Sequence, residues 1–279
     1  KYASAYLGDT FTKNRLTVSV GARFDRQSGG NKSSSAEPNP AFPELLPALE
    51  FGGAGQGIEW NDISPRVSAT YALDESRKTV LRGSYARYAG QLSSSDASYD
   101  NPLGSPSYLA YNWIDTNNDG LAQKGEVLVG QGIQYYGFVD PSNPGSATAT
   151  PNKIDPNYKS NKDHEVIVGL DRELFANFSV SAAYTWRKGN EITFWTPRIG
   201  ATTADYTANT PFTRNGFTAF SYSPSAAVIS SAAGGRILTN RPDYSRSYNG
   251  LEVTLLKRLS NKWMARAAYS YFSWTENYE

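Results

Sequence analysis

The fold of this chain is decided by the stretch Arg15-Leu16-Thr17-Val18-Ser19-Val20-Gly21-Ala22-Arg23-Phe24-Asp25. Every even-numbered residue in it is apolar, and every odd-numbered residue is charged, hydroxylated or glycine. Successive side chains of a β-strand point to opposite faces of the sheet, so this segment has one apolar face and one polar face. The pattern therefore predicts a strand that separates an apolar environment from an aqueous one.

Seven further segments alternate in a similar way, which gives eight predicted strands. In chain order they span residues 2–8, 15–25, 66–73, 79–88, 163–170, 177–187, 248–256 and 263–272. The connections are short, then long, then short again, and the three long loops cover residues 26–61, 89–162 and 188–247. Transmembrane β-barrels show this alternation, because their periplasmic turns are short and their surface loops are long. A soluble β-sandwich usually mixes loop lengths at both ends.

The composition excludes several classes of protein. The 279 residues include 27 basic and 26 acidic side chains, a net charge of +1, so there is no electrostatic signature of nucleic-acid binding. Cysteine is absent, which removes disulfides, thiolate metal sites and cysteine nucleophiles. No apolar run approaches the ~18 residues that a membrane helix needs. Aromatic residues near the strand ends fit the interfacial girdles of a barrel; they are Tyr85, Tyr88, Trp186, Trp263 and Tyr271.

The chain is predicted to form one domain over residues 1–279, since no linker divides it. The fold class is all-β, an antiparallel transmembrane β-barrel segment with long extracellular loops, of which residues 89–162 form the longest. Within that loop, residues 108–113 and 134–138 are expected to form short strands outside the main set. If the short turns are periplasmic, both ends of the chain lie outside the cell, so we interpret it as an internal segment of a larger barrel.

A calcium-type motif occupies residues 115–126, which match D-x-[DN]-x-[DN]-G-x₅-E at every fixed position. Calcium takes 6–8 oxygen ligands, and the motif supplies that chemistry. The predicted ligands are the side chains of Asp115, Asn117, Asp119, Gln123 and Glu126 and the backbone carbonyl of Leu121. The alternative is a solvated turn, because Asp, Asn and Gly are common in turns. We expect bound Ca²⁺ to rigidify the loop.

Catalytic motifs are weak in this sequence. His164 is the only histidine, and Asp163 and Glu165 flank it, so it could act as a base. The simpler interpretation is a residue at the start of a strand. No Gly-x-Ser-x-Gly motif supplies a nucleophile, and the glycine-rich residues 52–57 lack the strand and helix of a phosphate-binding loop. The sequence therefore predicts no enzyme.

Five arginines occupy the polar positions of the predicted strands and are expected to face the lumen. They are Arg23, Arg66, Arg82, Arg187 and Arg266. In an open pore such arginines favour anions. In a plugged barrel they pair with acidic residues of the plug, which is the interpretation we favour.

The strand motifs, taken in order, resemble TonB-dependent outer-membrane receptors, most closely the Oar-like branch. The resemblance rests on Tyr6-Leu7-Gly8-Asp9, on the stretch 16–25, on Ser64-Pro65-Arg66-Val67 and on Tyr248-Asn249-Gly250-Leu251-Glu252. It covers the strands and not the loops. It implies a barrel of 22 strands in the bacterial outer membrane, with an N-terminal plug that contacts TonB and that this chain lacks.

The resemblance implies the import of a bulky solute such as a metal chelate, cobamide, peptide or glycan, and the Oar-like branch also suggests export. The expected partners are outer-membrane lipid, TonB through the missing plug, and a transported ligand that the sequence does not identify. Aromatic loop residues are candidate ligand contacts: Tyr108, Tyr111, Trp113, Tyr135, Tyr136, Phe217 and Phe220.

Two other classes remain open on the sequence alone. In a secreted, calcium-binding β-sandwich, an adhesin or glycan-binding module, the apolar strand faces would pack against each other as a core. In a barrel enzyme such as a surface hydrolase, His164 would act with or without calcium.

Overall fold

The computed structural model describes residues 1–53, 57–103, 108–136, 150–231 and 235–277, with the backbone alone at 130, 132–136 and 229–231. In chain order the elements are β1 (Tyr2–Lys13), β2 (Leu16–Gly29), β3 (Ser34–Ala36), β4 (Leu49–Phe51), β5 (Ile58–Ala72), β6 (Thr79–Ala89), α1 (Ser94–Ala97), β7 (Tyr108–Trp113), β8 (Val127–Tyr136), β9 (Lys153–Ile154), β10 (Lys162–Phe175), β11 (Phe178–Asn190), a 3-10 helix (Thr203–Asp205), β12 (Tyr206–Ala208), β13 (Phe212–Arg214), β14 (Phe217–Ala219), β15 (Tyr222–Pro224), α2 (Ala226–Ser231), β16 (Ile237–Leu238), β17 (Ser245–Ser260) and β18 (Trp263–Asn277).

Eight long strands form one antiparallel sheet in the order β1-β2-β5-β6-β10-β11-β17-β18. Strand neighbours follow the order of the chain, so the sheet is a meander with β1 and β18 at its edges. This confirms the prediction of eight antiparallel strands in an all-β fold. No helix in the described part of the chain is both long enough and apolar enough to cross a membrane.

Tight turns connect the strands at the end opposite the long loops. The partners Lys13 and Leu16 leave a two-residue turn in which Asn14 has a φ of 55°. The partners Ser260 and Trp263 likewise enclose Asn261 and Lys262, with φ values of 52° and 66°. Positive φ values at the centre of a two-residue hairpin match the right-handed twist of the flanking strands.

The strands are longer than predicted. The sequence suggested a turn at residues 9–14, but Phe11 pairs with Val18 and Thr12 with Thr17, so β1 continues to Lys13. The first long loop was expected to reach residue 61, whereas β5 begins at Ile58. Cross-strand pairing with β2 extends both strands, and this pairing is a non-local interaction that short segments of sequence do not display.

The register divides the sheet into an apolar face and a polar face, because directly opposed residues in an antiparallel pair lie on the same side. The apolar face contains Leu16, Val18, Val20, Ala22 and Phe24 of β2 and the residues aligned with them; the polar face contains the alternate positions. Large side chains of the apolar face are exposed, among them Leu7, Val20, Val67, Leu81, Val168 and Leu251. In the described part of the chain no second sheet covers them, which is contrary to the β-sandwich alternative.

The long loops pack on the polar face near the start of β5. Residues 58, 60, 62 and 64 of β5 are buried, while residues 59, 61 and 63 are exposed. A cluster of buried apolar residues forms here from Ile58, Trp60, Tyr158 and Leu238. Strands β9 and β16 pair in parallel and join the second long loop to the third. The loops therefore fold inward over the polar face.

Candidate functional site

The register places all five arginines that were predicted to face the lumen on the polar face of the sheet. Arg23 aligns with Ser64, and Arg66 aligns with Gly21 and Ala86. Across the sheet, the same face continues through Arg82, Arg187 and Arg266. Alternation in the sequence was sufficient to group them.

Three of these arginines are paired with acidic side chains of the sheet itself. Arg23 Nε lies 2.8 Å from Asp25, and Arg82 Nε lies 2.8 Å from Asp171. Arg187 pairs with Glu165 on the neighbouring strand. These three charges have acidic partners within the sheet itself, and the expected pairing of the arginines with a plug stays a prediction.

Arg66 and Arg266 belong to none of the ion pairs among the described residues. The guanidinium of Arg66 lies 5.4 Å from the ring centroid of Tyr88, in a cation–π contact. Arg23, Asp25 and Arg66 line one pocket of the polar face together with Tyr88, so this pocket carries an excess of positive charge.

A buried ion pair joins the second long loop to β5. Asp62 is 5% exposed and pairs with Lys162 at the start of β10. The hydroxyl of Ser160, itself 1% exposed, donates to Asp62 at 2.6 Å, and Lys162 also donates to Ser160. Neighbouring Trp60 donates from Nε1 to the Tyr158 carbonyl at 2.8 Å. These contacts fix the loop onto the polar face.

A cavity of about 390 Å³ lies between the start of β5 and residues 152–158. Its lining contains three acidic side chains, Glu59, Asp100 and Asp155, beside Lys153. Burial raises the pKa of Asp100, and it also raises the pKa of Tyr158, which lines the same cavity, to about 12. The lining of the cavity thus combines carboxylates with apolar side chains, among them Ile58, Ile154 and Ile237.

The sequence did not identify Trp60, Tyr158 or this cavity as parts of a site. The Trp60 ring contacts the Tyr158 ring edge-on, with centroids 5.5 Å apart. Ile58 and Trp60 alternate with polar residues, and this pattern could have predicted that the strand begins before residue 66. The contact with residue 158 could not be found that way, because 98 residues separate the partners.

The calcium-type motif forms the loop of the β7–β8 hairpin. The Asp115 carboxylate accepts from the backbone N–H of Asp119 at 3.2 Å and of Gly120 at 2.9 Å. Gly120 has a φ of 76°, which permits the sharp turn expected at that position. Asn117 donates to Asp119 at 2.9 Å, and Gln123 also donates to Asp119. Four of the predicted side-chain ligands are therefore brought into one ring.

Glu126 is turned towards the backbone of the loop. The Thr116 hydroxyl donates to Glu126 Oε1 at 2.6 Å, and the Thr116 N–H donates to the same atom at 2.8 Å. These donors hold the pKa of Glu126 below its usual range. The carbonyl and carboxylate oxygens of the motif are the kind of ligand that a hard cation binds. Within the described residues, however, no three His, Asp or Glu side chains are grouped closely enough to hold a metal, so calcium rests on the sequence motif.

The candidate aromatic ligand contacts lie on two separate hairpins. Tyr108, Tyr111 and Trp113 belong to β7, while Phe217 lies on β14 and Phe220 follows it. Phe217 is 74% exposed and Phe220 is 63% exposed. The side chains of Tyr135 and Tyr136 lie outside the described residues. Of the five aromatic residues whose side chains are described, none lines the cavity beside β5.

His164 lies on the apolar face of the sheet, where its Nδ1 is 2.9 Å from the Tyr85 hydroxyl. Asp163 and Glu165 belong to the polar face, since neighbouring residues of a strand point to opposite sides. The geometry of a histidine base between two carboxylates is therefore not formed. This location agrees with the simpler interpretation of a strand-start residue.

Comparison with known proteins places these features in a family. The sequence model of a family described as "Outer membrane beta barrel domain" matches residues 1–278. No curated protein sequence matches the chain significantly. The FrpB iron transporter from Neisseria meningitidis (F3-3 variant) is similar in structure, with a TM-score of 0.49 and 9% identity over 98% of this chain and 25% of that one.

Two further solved structures are similar to the chain. The copper transporter OprC has a TM-score of 0.46 and 13% identity, covering 98% of this chain and 29% of that one. The outer membrane transporter YddB from Escherichia coli has a TM-score of 0.46 and 10% identity, covering 99% and 33%. The chain thus spans a quarter to a third of the length of these structures. Since the family match covers residues 1–278 and the sheet exposes one apolar face, the chain belongs to the outer membrane β-barrel domain family and lies in the outer membrane.

Proposed function

We propose that this chain is part of a TonB-dependent outer-membrane transporter of the Oar-like branch, which moves a bulky solute by uptake or by export. The observation that carries the proposal is the burial of alternate residues at the start of β5 beneath the long loops. Loops that fold inward over the polar face form a mouth at the cell surface, and a cavity remains beneath them. This arrangement suits capture of a solute before it enters the lumen.

The five arginines face the lumen in this proposal. Ion pairs with Asp25, Asp171 and Glu165 hold three of them against the barrel wall. Arg66 and Arg266 keep their charge available, so they are the arginines that we assign to contact with an acidic plug residue or an anionic solute. TonB acts through a plug outside this chain, and further strands complete a barrel of about 22 strands.

The exposed aromatic residues are assigned as solute contacts in the same proposal. Phe217 begins β14 and Phe220 follows it, both exposed, and Trp113 ends β7 just before the calcium-type loop. Aromatic side chains supply large contact areas and stack on sugars, rings and cations. No enzymatic step is assigned, since His164 is directed away from both neighbouring carboxylates.

Uptake can be tested without knowing the solute. Cells that carry the full-length protein, cells that lack its gene and cells that lack TonB are grown in one complex medium, and compounds that disappear from it are profiled. A compound depleted by the first strain alone is the result expected of an energised importer. Depletion that requires this gene but continues without TonB would contradict the energised mechanism and indicate a passive channel.

For the motif at residues 115–126 we propose a calcium site that stiffens the β7–β8 hairpin. Asp115, Asn117, Asp119, Gln123 and Glu126 would supply side-chain oxygens, and Leu121 its carbonyl. The support is the agreement of all fixed positions with the motif and the ring formed by four of these side chains. Bound calcium would neutralise the negative charge of the carboxylates. Metal–oxygen contacts would replace the hydrogen bonds within the ring.

Terbium, which replaces calcium in oxygen sites, tests this assignment. Trp113 lies two residues before the motif, so its excitation should sensitise terbium luminescence in the full-length protein. Asp115→Asn combined with Glu126→Gln should abolish the signal, and addition of calcium should quench it in the wild type. Asp74→Asn, which removes a carboxylate from a turn between β5 and β6, is the matched control. Luminescence that persists in the motif variant would remove the calcium assignment.

A further inference from the structure

A pocket of about 320 Å³ lies on the polar face of the sheet, at the end that carries the long loops. We name it the arginine pocket, because Arg23, Arg66 and Arg87 line it together with one carboxylate, that of Asp25. Three guanidinium charges against one carboxylate leave a net charge of +2. The volume lies at the lower end of the range of small-molecule sites, which is about 300–1,000 Å³.

The carboxylate in this lining already has its partners. Arg23 Nε lies 2.8 Å from Asp25, and the Tyr2 hydroxyl also donates to Asp25. Asp25 is 7% exposed, so little of its carboxylate remains accessible to a further cation. The charges of Arg66 and Arg87 are therefore the uncompensated part of the pocket.

Arg66 has no oxygen acceptor among the residues that the structure describes. Its guanidinium lies 5.4 Å from the ring centroid of Tyr88, and this cation–π contact uses none of its N–H donors in a hydrogen bond. The nearby carboxylate of Glu165 accepts from the Tyr88 hydroxyl at 3.1 Å and pairs with Arg187. The planar donor fork of Arg66 is thus free to bind an oxyanion.

Arg87 adds its charge from an opening between two strands. The β5–β6 ladder ends at the pair Arg66–Ala86, whereas β6 continues to pair with β10 as far as Ala89. A terminal nitrogen of Arg87 donates to the carbonyl of Ile63, on the part of β5 that is not paired with β6. This contact holds the guanidinium beside the pocket, so its positive charge is fixed in place.

Ser64 is a buried donor in the same lining. It is 3% exposed, and its hydroxyl makes no hydrogen bond within the described part of the chain. Ser64 and Arg66 are two residues apart on β5, so their side chains lie on the same face. Buried hydroxyl groups are normally hydrogen-bonded, and an oxygen atom of a ligand in the pocket would supply the acceptor for Ser64.

The chain beside the pocket is held in place by hydrogen bonds. Gln27, which is 4% exposed, donates to the carbonyl of Gly90 at 2.9 Å and accepts from the N–H of Leu92 at 2.8 Å. The N–H of Gly90 donates to the carbonyl of Asn161 at 2.9 Å. The pocket is therefore formed before a ligand arrives, which lowers the entropy cost of binding.

We propose that the arginine pocket binds a phosphate group, either free or as part of a larger solute. A phosphate monoester carries a charge of about −1.5 to −2 near pH 7, which matches the charge of the pocket. Arg66 pairs with two phosphate oxygens, and Ser64 donates to a third. Arg23 and Arg87 stabilise the charge while they keep their present partners. The site names a substrate class for the proposed function, and it depends on that function only for transport of the bound solute.

Titration calorimetry of the full-length protein in detergent tests the proposal, with glucose 6-phosphate, inorganic phosphate and glucose as probes. Arg66→Gln should weaken the binding of glucose 6-phosphate about 30-fold, and Ser64→Ala about fivefold. Arg246→Gln is the matched control. It removes a cation without an ion pair among the described residues from the same face and the same end of the sheet, and it should leave the affinity unchanged.

The two phosphate probes distinguish the two sources of the group. Tighter binding of glucose 6-phosphate than of inorganic phosphate would assign the pocket to a phosphorylated solute. Equal affinity for the two probes would assign it to free phosphate.

Four results would overturn the proposal. They are the absence of phosphate binding to the wild type, equal affinity of Arg66→Gln and the wild type, equal weakening by Arg66→Gln and Arg246→Gln, and glucose that binds as tightly as glucose 6-phosphate. If Arg66→Gln does not fold, an unchanged affinity of Ser64→Ala would overturn it. Phosphate binding by a protein whose uptake continues without TonB would contradict energised transport and leave the site standing. TonB-dependent uptake by a protein that binds no phosphate would do the reverse.

Discussion

Lys162 and Asp62 form the contact that couples the second long loop to the sheet at the level of single residues. Their side chains are 18% and 6% exposed, so each charge depends on the other for its solvation. Removing one member of a buried pair leaves the other uncompensated, which costs more than the pair itself contributes.

Lys162→Met should therefore lower the free energy of unfolding by about 3–5 kcal/mol. The double variant with Asp62→Asn should recover part of that loss, because the amide leaves no buried charge. Urea unfolding of the full-length protein in lipid vesicles measures both values. A single variant as stable as the wild type would mean that water reaches Asp62.

His164 shows what the sequence can and cannot decide at a single position. Its neighbours in the chain suggested a base between two carboxylates, but the parity of the strand separates them. The same parity grouped the five arginines on one face without any structure. Pairing of three of them within the sheet was not predictable, because Asp171 and Glu165 become partners of Arg82 and Arg187 only through strand register.

The strands as elements were largely predictable, since alternation is a local property of the sequence. Their ends were not, because pairing between β1 and β2 carries both strands beyond the alternating segments. The packing of the loops could not be predicted for the same reason, because Trp60 contacts residue 158, which lies 98 positions away in the chain. The calcium-type hairpin lies between these cases. Its strand at residues 108–113 was predicted. Of the second predicted strand, residues 134–136 lie in β8, which begins at Val127, and residues 137–138 lie outside the described residues.

The β17–β18 turn offers a test of element stability. Asn261 and Lys262 both adopt positive φ values. This conformation costs a residue with a Cβ roughly 1 kcal/mol of free energy. Lys262→Gly should stabilise the protein by about that amount. Lys13→Gly, within β1, should destabilise it by about 0.5–1 kcal/mol. Urea unfolding of the protein in lipid vesicles measures the stability of both variants. Destabilisation by both substitutions would contradict the turn assignment.

Acidification should loosen the β7–β8 hairpin loop. Because hydrogen bonds from Thr116 lower the pKa of Glu126, the folded loop favours the carboxylate. The ionised carboxylate therefore contributes to the stability of the loop. This contribution is complete above the ordinary pKa of 4.5, and it is lost as the pH falls from there through the lowered pKa. Hydrogen exchange, corrected for intrinsic rates, should show protection at Thr116 and Gln123 fading in that window. Glu126→Gln should show no such transition; a transition of equal size in that variant would assign it to another group.

At the scale of the whole molecule, the location in the outer membrane depends on which face of the sheet contacts lipid. Large apolar side chains are exposed across eight strands, while the loops cover the polar face near the start of β5. A soluble sandwich would bury the first face, and a barrel in the outer membrane exposes it to lipid. The family match and the inward folding of the loops both require this orientation.

Spin-label accessibility along β2 tests the orientation directly. Single cysteines replace Val18, Val20 and Ala22 on the apolar face, and Thr17, Ser19 and Arg23 on the polar face, in the full-length protein reconstituted in vesicles. Labels on the first set should collide with oxygen and be shielded from a water-soluble nickel complex, and labels on the second set should be less accessible to oxygen. An alternation with a period of two residues in this phase is the predicted result. Uniform accessibility, or the opposite phase, would contradict the account.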